Sequence, residues 1–273
     1  MDKYSARASQ PVTQQSAKNA VRVSGSAGKQ DSMTQRPFAV FDIDGTLIRW
    51  QLYHATADAL ADAGHTDEAT FRAAKEARMQ WKRRTARESF KDYEKELIKA
   101  YEGILLMLSP AQIEQVAQAV FDEYKDQVYT YTRDLVKNLK NRGYTLLAIS
   151  GSQLEIVAKI AKYYGFDDCV GTVYEQSGGK FTGGKTIGSA NKAATLKSLI
   201  TKHHLSLVGS VAVGDSASDV SMMELVELPI ALNPEKKLYE HAKKRSWKIV
   251  LERKNMVYEL EATDGNYRLA KAN

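Results

Sequence analysis

Two aspartates, Asp42 and Asp44, directly follow the apolar run at residues 38–41 and are separated by a single isoleucine. A short continuous apolar run of this kind is typical of a buried parallel strand. Two carboxylates at the end of a buried strand have a high desolvation cost unless a cation or hydrogen-bond donors offset their charge. Carboxylate oxygens suit Mg²⁺, which keeps several waters and binds phosphate oxygens, so a divalent metal site is the economical interpretation. The alternative is an N-cap aspartate beside a turn aspartate, which would be preferred for an isolated Asp-x-Asp pair.

Polar residues also follow two later apolar runs, at residues 144–149 and 208–213. The carboxyl ends of parallel strands meet at one edge of a sheet, where ligands bind. Phosphoryl transfer requires a nucleophile, an acid for the leaving oxygen, donors for the phosphate oxygens and a metal ion. The side chains expected at this edge, with a lysine from a nearby helix, supply each of these: Asp42, Asp44, Ser150, Lys192, Asp215 and Asp219.

The apolar runs alternate with helical patterns, which predicts an α/β fold with a doubly wound parallel sheet. Further strands are predicted at residues 229–232 and 247–251, and a β-hairpin at residues 170–187. Residues 50–127 show helical spacing and are predicted to form an inserted α-helical cap of about four helices. The core domain would then comprise residues 37–49 and 128–273. The clearest cap helix follows Ser109-Pro110, an N-cap with proline at the first helical position, and a later helix is expected to be capped by Thr132.

Residues 1–36 hold six basic residues against two acidic ones, a surplus of four, and few large apolar side chains. Such a segment is predicted to be a disordered basic tail because it buries too little surface to offset its ordering entropy. The tail accounts for most of the formal net charge of +6, so no specific nucleic-acid partner is indicated. No apolar stretch approaches a membrane span, no secretory signal is evident and Cys169 is the single cysteine. We therefore expect a cytoplasmic protein without a membrane partner, in which Cys169 is a small buried hydrophobe.

Together the motifs resemble those of the haloacid dehalogenase (HAD) superfamily, specifically its phosphoserine-phosphatase-like branch with a helical cap. Asp-Ile-Asp-Gly-Thr from Asp42 resembles the first motif and Ile-Ser-Gly-Ser around Ser150 the second. The segment around Lys192 resembles the third motif, and Gly-Asp-Ser-Ala-Ser-Asp, ending at Asp219, the fourth. One such motif alone is a weak signal, but four in this order on these elements are a strong one. The resemblance implies a Rossmann-like core and a Mg²⁺-dependent phosphomonoester hydrolase acting on a small phosphorylated metabolite.

The resemblance also implies roles for the four aspartates. Asp42 would attack phosphorus and become an aspartyl-phosphate, and Asp44 would protonate the leaving alkoxide and then activate water. The family's dehalogenases lack the second aspartate, so Asp44 favours a phosphatase. Mg²⁺ would be held by Asp42, Asp215 and the backbone carbonyl of Asp44, with Asp219 as a further ligand or just beside them. Taken alone, Asp219 could equally be an N-cap for the helix that follows it.

The same resemblance places the phosphate oxygens against Ser150, the Gly151 amide and Lys192, with assistance from a helix N-terminus. Thr46 is assigned to this phosphate site and would steady Asp44 and its loop. Taken singly, Thr46 and Ser150 would more often be caps, and Lys192 a solvated helix residue.

Two positions depart from the pattern of phosphoserine phosphatases. Gln51 stands nine residues after Asp42, where those enzymes have a glutamate that binds the substrate ammonium, so phosphoserine is not expected to be the preferred substrate. Ser218 replaces the usual asparagine of the fourth motif. A basic run in the cap is interpreted as a solvated face, and the alternative is a substrate-anion site with Arg78 as the candidate. The run consists of Arg78, Lys82, Arg83, Arg84 and Arg87.

Two alternative functions remain open from the sequence. A phosphotransferase would use the same chemistry with an alcohol in place of water. A non-catalytic phospholigand-binding scaffold would use the tail and the basic cap as contacts, but it would have no use for both Asp42 and Asp44.

Overall fold

The computed structural model describes residues 35–66, 69–84, 86, 89–263 and 266–273. The predicted disordered tail therefore lies outside the described residues except for its last two positions. The strands are β1 (Pro37–Phe41), β2 (Thr145–Gln153), β3 (Asp168–Ser177), β4 (Lys180–Ile187), β5 (Ser206–Gly214), β6 (Leu228–Leu232), β7 (Lys248–Arg253), β8 (Met256–Thr263) and β9 (Asn266–Ala272). The helices are α1 (Leu52–Asp62), α2 (Arg72–Lys82), α3 (Ser89–Leu105), α4 (Pro110–Tyr124), α5 (Thr130–Asn141), α6 (Leu154–Tyr164), α7 (Lys192–His203), α8 (Val220–Met223) and α9 (Lys236–Arg245). Among these residues, no helix combines the length and the apolar character needed to cross a bilayer.

Across the described ranges the strands form a single sheet in the order β4-β3-β2-β1-β5-β6-β7-β8-β9. The strands from β3 to β7 in this order are parallel, while β4, β8 and β9 are antiparallel at the two edges. Alternate residues of β1 pack on opposite faces: Phe38 and Val40 against Leu196 of α7, and Ala39 and Phe41 on the side of α5. The predicted doubly wound α/β fold is therefore confirmed.

Helices α1 to α4, here called the cap helices, lie between β1 and β2 within the predicted cap range. The prediction for α4 is confirmed in detail, because Ser109 Oγ accepts from Gln112 N at 3.3 Å and Gln112 Oε1 accepts from Ser109 N at 2.9 Å. Ile113 of α4 and Ile156 of α6 belong to one buried apolar cluster. The division into cap and core stays a prediction, since this cluster joins the two.

The cap helices are also hydrogen-bonded to the hairpin formed by β3 and β4. The hydroxyls of Tyr53 on α1 and Tyr174 on β3 are 3.0 Å apart, and Tyr174 donates to Glu102 of α3 at 3.2 Å. Buried Tyr101 donates to the side chain of Gln153 at the end of β2. Polar groups on two cap helices are thereby satisfied by core strands.

The predicted cap at Thr132 is wrong. Helix α5 begins at Thr130, and the Thr132 hydroxyl is buried without a hydrogen-bond partner. The first amides of α5 are instead capped by Glu252 of β7, whose two carboxylate oxygens accept from Thr130 N and Tyr131 N at 2.9 Å each. A carboxylate satisfies free N–H groups at a helix N-terminus and interacts favourably with the helix dipole.

Cys169 on β3 packs against an apolar core cluster as expected of a small hydrophobe, but it is half-buried rather than buried. The reason is its position on a strand near the sheet edge, where its neighbours Asp168 and Val170 are also half-buried.

Candidate active site

The first motif extends the central strand of the sheet. The backbone N–H of Asp42 donates to the carbonyl of Val213 on β5 at 3.0 Å, which fixes this carboxylate at the sheet edge. Two residues on, Asp44 Oδ1 accepts from the N–H of Leu52, the first residue of α1, at 2.6 Å. The start of the first cap helix is therefore bonded directly to the second aspartate.

Asp44 is held by the second motif as well. The Ser150 hydroxyl donates to Asp44 Oδ2 at 2.7 Å, and the Ser152 hydroxyl donates to Asp44 Oδ1 at 3.0 Å. Burial raises the pKa of Asp44 above the ordinary carboxyl value, and the hydrogen bonds from Leu52, Ser150 and Ser152 oppose this rise without cancelling it. Ser150, which was expected to bind phosphate, therefore orients Asp44. Ser152 orients Asp44 as well, although the sequence did not predict a role for it.

Lys192, at the first turn of α7, lies between two carboxylates. Its Nζ is 2.6 Å from Asp42 Oδ1 and 2.6 Å from Asp219 Oδ1, and its side chain is 2 % exposed. Burial opposes the charged lysine, but Asp219 and Asp42 outweigh burial and raise its pKa. Burial raises the pKa of Asp42 to about 7, with Lys192 opposing the rise and Asp219 adding to it.

Asp42, Asp215 and Asp219 each offer one carboxylate oxygen, and these oxygens lie within 4.8 Å of one another. Lys192 supplies one positive charge for these three carboxyl groups, so that their full ionisation leaves a surplus of two negative charges. Burial and then the charge of Asp42 raise the pKa of Asp215 well above its ordinary value. A site with this surplus and with only oxygen donors fits a divalent cation such as Mg²⁺.

The oxygens of Asp219 already have partners. Oδ1 accepts from Lys192, and Oδ2 accepts from the backbone N–H groups of Asp215 and Ser216 at 3.0 Å each. Asp219 therefore organises the fourth-motif loop and fixes the lysine. It does not cap α8, because its side chain makes no bond to the amides of that helix.

The first and fourth motifs are packed directly against each other. Thr46, expected to steady Asp44, instead donates to Asp215 Oδ1 at 3.2 Å. Gly45 has a φ of +77°, and a Cβ there would lie 2.4 Å from Asp215 Oδ2. The backbone conformation and the close approach of this carboxylate both require glycine.

Of the remaining predicted residues, Gly151 and Gln51 lie beside this cluster. The Gly151 carbonyl accepts from the Thr172 hydroxyl at 2.6 Å, and no structural contact tests its assignment to phosphate. Gln51 is the half-buried N-cap residue of α1, adjacent to Leu52, and its side chain does not cap the helix.

Arg78 lies elsewhere. Its guanidinium lies over the Trp50 ring, with 5.7 Å between Cζ and the ring centroid. The side chain also lines a cavity between α1, α2 and α3. No described contact joins Arg78 to the carboxylates of the four motifs. Lys82, Arg83 and Arg84 are exposed, as expected of a solvated face, and Arg87 is outside the described residues.

Glu94 on α3 was missed by the sequence reasoning. Burial and then the charge of Asp44 raise its pKa, so this cap carboxylate lies near the proposed acid. Glu94 is one of several acidic residues on α3 and belongs to no motif, so only the tertiary structure distinguishes it.

Two curated relatives show what the chain resembles. It is 32 % identical over 145 residues to a phosphoserine phosphatase of Mycobacterium tuberculosis, an alignment that covers 52 % of this chain and 47 % of the relative. It is 25 % identical over 227 residues to a histidinol-phosphatase of Neisseria meningitidis, covering 78 % of this chain and 97 % of the relative. The chain spans about half the length of the mycobacterial relatives it matches.

A solved structure and a family profile complete the comparison. The fold is similar to a phospho-aspartyl intermediate analogue of phosphoserine phosphatase, with a TM-score of 0.55, 23 % identity and coverage of 81 % of this chain and 95 % of that one. The profile described as haloacid dehalogenase-like hydrolase matches residues 39–224, which include all four motifs. The resemblance predicted from these motifs is confirmed, and the chain belongs to the haloacid dehalogenase-like hydrolase family.

Proposed function

We propose that this chain is a Mg²⁺-dependent phosphomonoester hydrolase that acts through an aspartyl-phosphate on Asp42. The observation that supports this most is the pair of buried aspartates in different surroundings. Asp42 contacts a lysine cation, whereas Asp44 is held by neutral hydrogen-bond donors. A nucleophile must be ionised and an acid must hold a proton. Burial raises the pKa of both carboxyl groups, but Asp42 is in contact with a cation that opposes this rise and Asp44 is not, and this difference favours Asp42 as the nucleophile and Asp44 as the acid.

In the first step, the Asp42 carboxylate attacks phosphorus and displaces the alkoxide. Lys192 binds Asp42 Oδ1, so the charge on this carboxylate is compensated, and the same lysine would contact a phosphate oxygen. Gly151 would add its backbone N–H to the phosphate, which stays a prediction from the second motif.

Asp44 supplies the proton. Its raised pKa favours the protonated form at the start, and its bonds to Ser150, Ser152 and Leu52 fix the direction of the carboxyl group. After the leaving alkoxide takes this proton, the same carboxylate accepts one from the water that hydrolyses the aspartyl-phosphate. Without this second use, the covalent intermediate would accumulate.

Mg²⁺ would be held by Asp42, Asp215 and the backbone carbonyl of Asp44, and it would offset the charge that the phosphate adds to these carboxylates. Thr46 and Gly45 support this role by fixing Asp215 against the first motif. Asp219, whose oxygens bind a lysine and two amides, would act beside the metal rather than on it.

The substrate would be a small phosphorylated metabolite. The relatives are named for phosphoserine and histidinol phosphate, so the family resemblance does not select one of them. Gln51 at the start of α1 offers an amide rather than a charge, which argues against a strong preference for phosphoserine. The expectations of a cytoplasmic location and of no specific nucleic-acid or membrane partner belong to this proposal.

Turnover of p-nitrophenyl phosphate tests the function. Mg²⁺ should support steady turnover and EDTA should abolish it, because phosphate adds further negative charge to a cluster that already has a surplus. Asp42→Asn should lose all turnover, and Asp215→Ala should not be rescued at ordinary Mg²⁺ concentrations. Asp134→Asn, which changes an exposed carboxylate on α5, is the matched control and should be unaffected. Full turnover in chelator, or by Asp42→Asn, would refute the proposal.

A further inference from the structure

The cap helices α1, α2 and α3 border a cavity of about 360 Å³. Among the described residues that line it, none belongs to the four motifs, so the cavity is separate from the phosphate site. Exposed Ala61 and Lys75 are also part of its wall, which places one side of the cavity at the surface. The residues on which the argument rests are His54, Asp58, Phe71, Arg78, Tyr93 and Leu97.

Two buried polar atoms of this wall have no hydrogen-bond partner. His54 is 2 % exposed, and its Nδ1 is unpartnered; the buried Nε of Arg78 is unpartnered too. A buried polar group without a hydrogen-bond partner destabilises the fold, and native structures contain few of them. Two such groups on the wall of one cavity point to a ligand that would form hydrogen bonds with both.

The wall also has charges of both signs. Arg78 and Asp58 both line the cavity, and no ion pair joins them to each other in the described structure. Burial, followed by the charge of Arg78, lowers the pKa of His54 to about 4, so this imidazole is neutral at pH 7. The cavity wall therefore has two basic residues, the exposed Lys75 and the half-buried Arg78, together with the carboxylate of Asp58 and one neutral imidazole.

Apolar and aromatic side chains form another part of the wall. Phe71 and Leu97 are buried, and Tyr93 presents its ring, which is 4.5 Å from the His54 ring. A volume of about 360 Å³ is at the lower end of the range for small-molecule sites, roughly 300–1,000 Å³. The wall suits a ligand that has two opposite charges and an apolar group.

We propose that the cap cavity binds a free α-amino acid with an apolar side chain, in its zwitterionic form. The carboxylate pairs with the Arg78 guanidinium, the ammonium pairs with Asp58, and the side chain packs against Phe71, Tyr93 and Leu97. The neutral His54 supplies the remaining hydrogen bond at Nδ1. A simple carboxylate would leave Asp58 without a partner, and a simple amine would leave Arg78 without one.

Calorimetric titration of the full chain with leucine, methionine and phenylalanine tests the proposal. At least one of them should bind saturably at one site. Two analogues of leucine, 4-methylpentanoate without the ammonium and isoamylamine without the carboxylate, should each bind at least tenfold more weakly. This comparison uses the unaltered protein, so it does not depend on whether any variant folds.

Variants then locate the site. Arg78→Met and Asp58→Asn should each weaken binding at least tenfold, whereas Lys82→Met and Asp62→Asn, exposed residues on the same two helices, should not. Saturating inorganic phosphate should not compete, which separates this site from the phosphate site and from the fate of the proposed hydrolase activity. The proposal is overturned by absence of binding, by equal binding of either analogue, by competition with phosphate, or by undiminished binding in either cavity variant.

Discussion

Lys192 provides the sharpest test of how charge is balanced in the site. Its Nζ contacts Asp42 and Asp219 at 2.6 Å each, and both the lysine and Asp219 are almost completely buried. Lys192→Met would leave these carboxylates without their cation. Removing one partner of a buried ion pair costs about 3–5 kcal/mol, so the free energy of unfolding should fall by that amount at pH 7 in chelator.

Mg²⁺ should reverse part of this loss. Without Lys192 the carboxylate cluster has a larger negative surplus, so a divalent cation should stabilise Lys192→Met more than it stabilises the wild type. Urea unfolding followed by tryptophan fluorescence, with EDTA and with millimolar Mg²⁺, measures both effects. Lys202→Met is the matched control: Lys202 pairs with Asp168 at 2.8 Å but its side chain is 62 % exposed, so its loss should cost about 0–1 kcal/mol.

A double variant keeps the test decisive if Lys192→Met folds poorly. Asp42→Asn together with Lys192→Met removes both charges of one pair, so the double variant should be more stable than Lys192→Met alone. The reasoning is refuted if Lys192→Met unfolds in chelator at the same urea concentration as Lys202→Met. It is also refuted if Mg²⁺ stabilises Lys192→Met no more than the wild type.

Three further outcomes are expected. Asp44→Asn should release one equivalent of p-nitrophenol, whose departure needs no proton, and then stall; a loss of activity without a burst would contradict the role of Asp44 as acid and base. Gln51→Glu should raise kcat/KM for phosphoserine relative to glycerol phosphate roughly tenfold, or about 1.4 kcal/mol; if the wild type already strongly prefers phosphoserine, Glu94 is the carboxylate to examine instead. Burial lowers the pKa of His54 from 6.5 to about 4, so the unfolded state binds this proton first as the pH falls. The contribution of His54 to the free energy of unfolding should therefore fall by about 2 kcal/mol between pH 7 and pH 5, and parallel urea titrations of the wild type and His54→Phe should differ by this amount in their change with pH.

The sequence predicts which residues form the site better than it predicts which of them are hydrogen-bonded to each other. Asp42, Ser150 and Asp215 follow apolar strands, and a parallel sheet brings such strand ends together whatever the connections are. Which donor meets which carboxylate depends on tertiary packing. Thr46 reaches Asp215, 169 residues later, rather than the adjacent Asp44, and local sequence has no signal for this.

Helix caps and edge strands also show that the sequence predicts local contacts better than contacts made by tertiary packing. The local rule identifies Thr132 as a cap, but α5 is capped by Glu252 from a strand more than a hundred residues away. Strands β8 and β9 were not predicted, because most of their residues are only half-buried or are exposed, so neither has a continuous apolar run. The α4 helix was predicted accurately because both partners of its capping box are local.

The central position of β1 has a consequence for how the protein is made. Its neighbours in the sheet are β2, where Phe38 lies opposite Thr145, and β5, where Ala39 lies opposite Val211. A ribosome adding about 5–20 residues per second needs roughly 5–20 s to reach the first of these partners and longer to reach the second. Throughout that interval the apolar strand ahead of Asp42 has no native partner strand, so newly synthesised chains are exposed to aggregation until β2 and β5 emerge. A holdase-type chaperone that binds short apolar segments should therefore be able to bind residues 38–41 during translation.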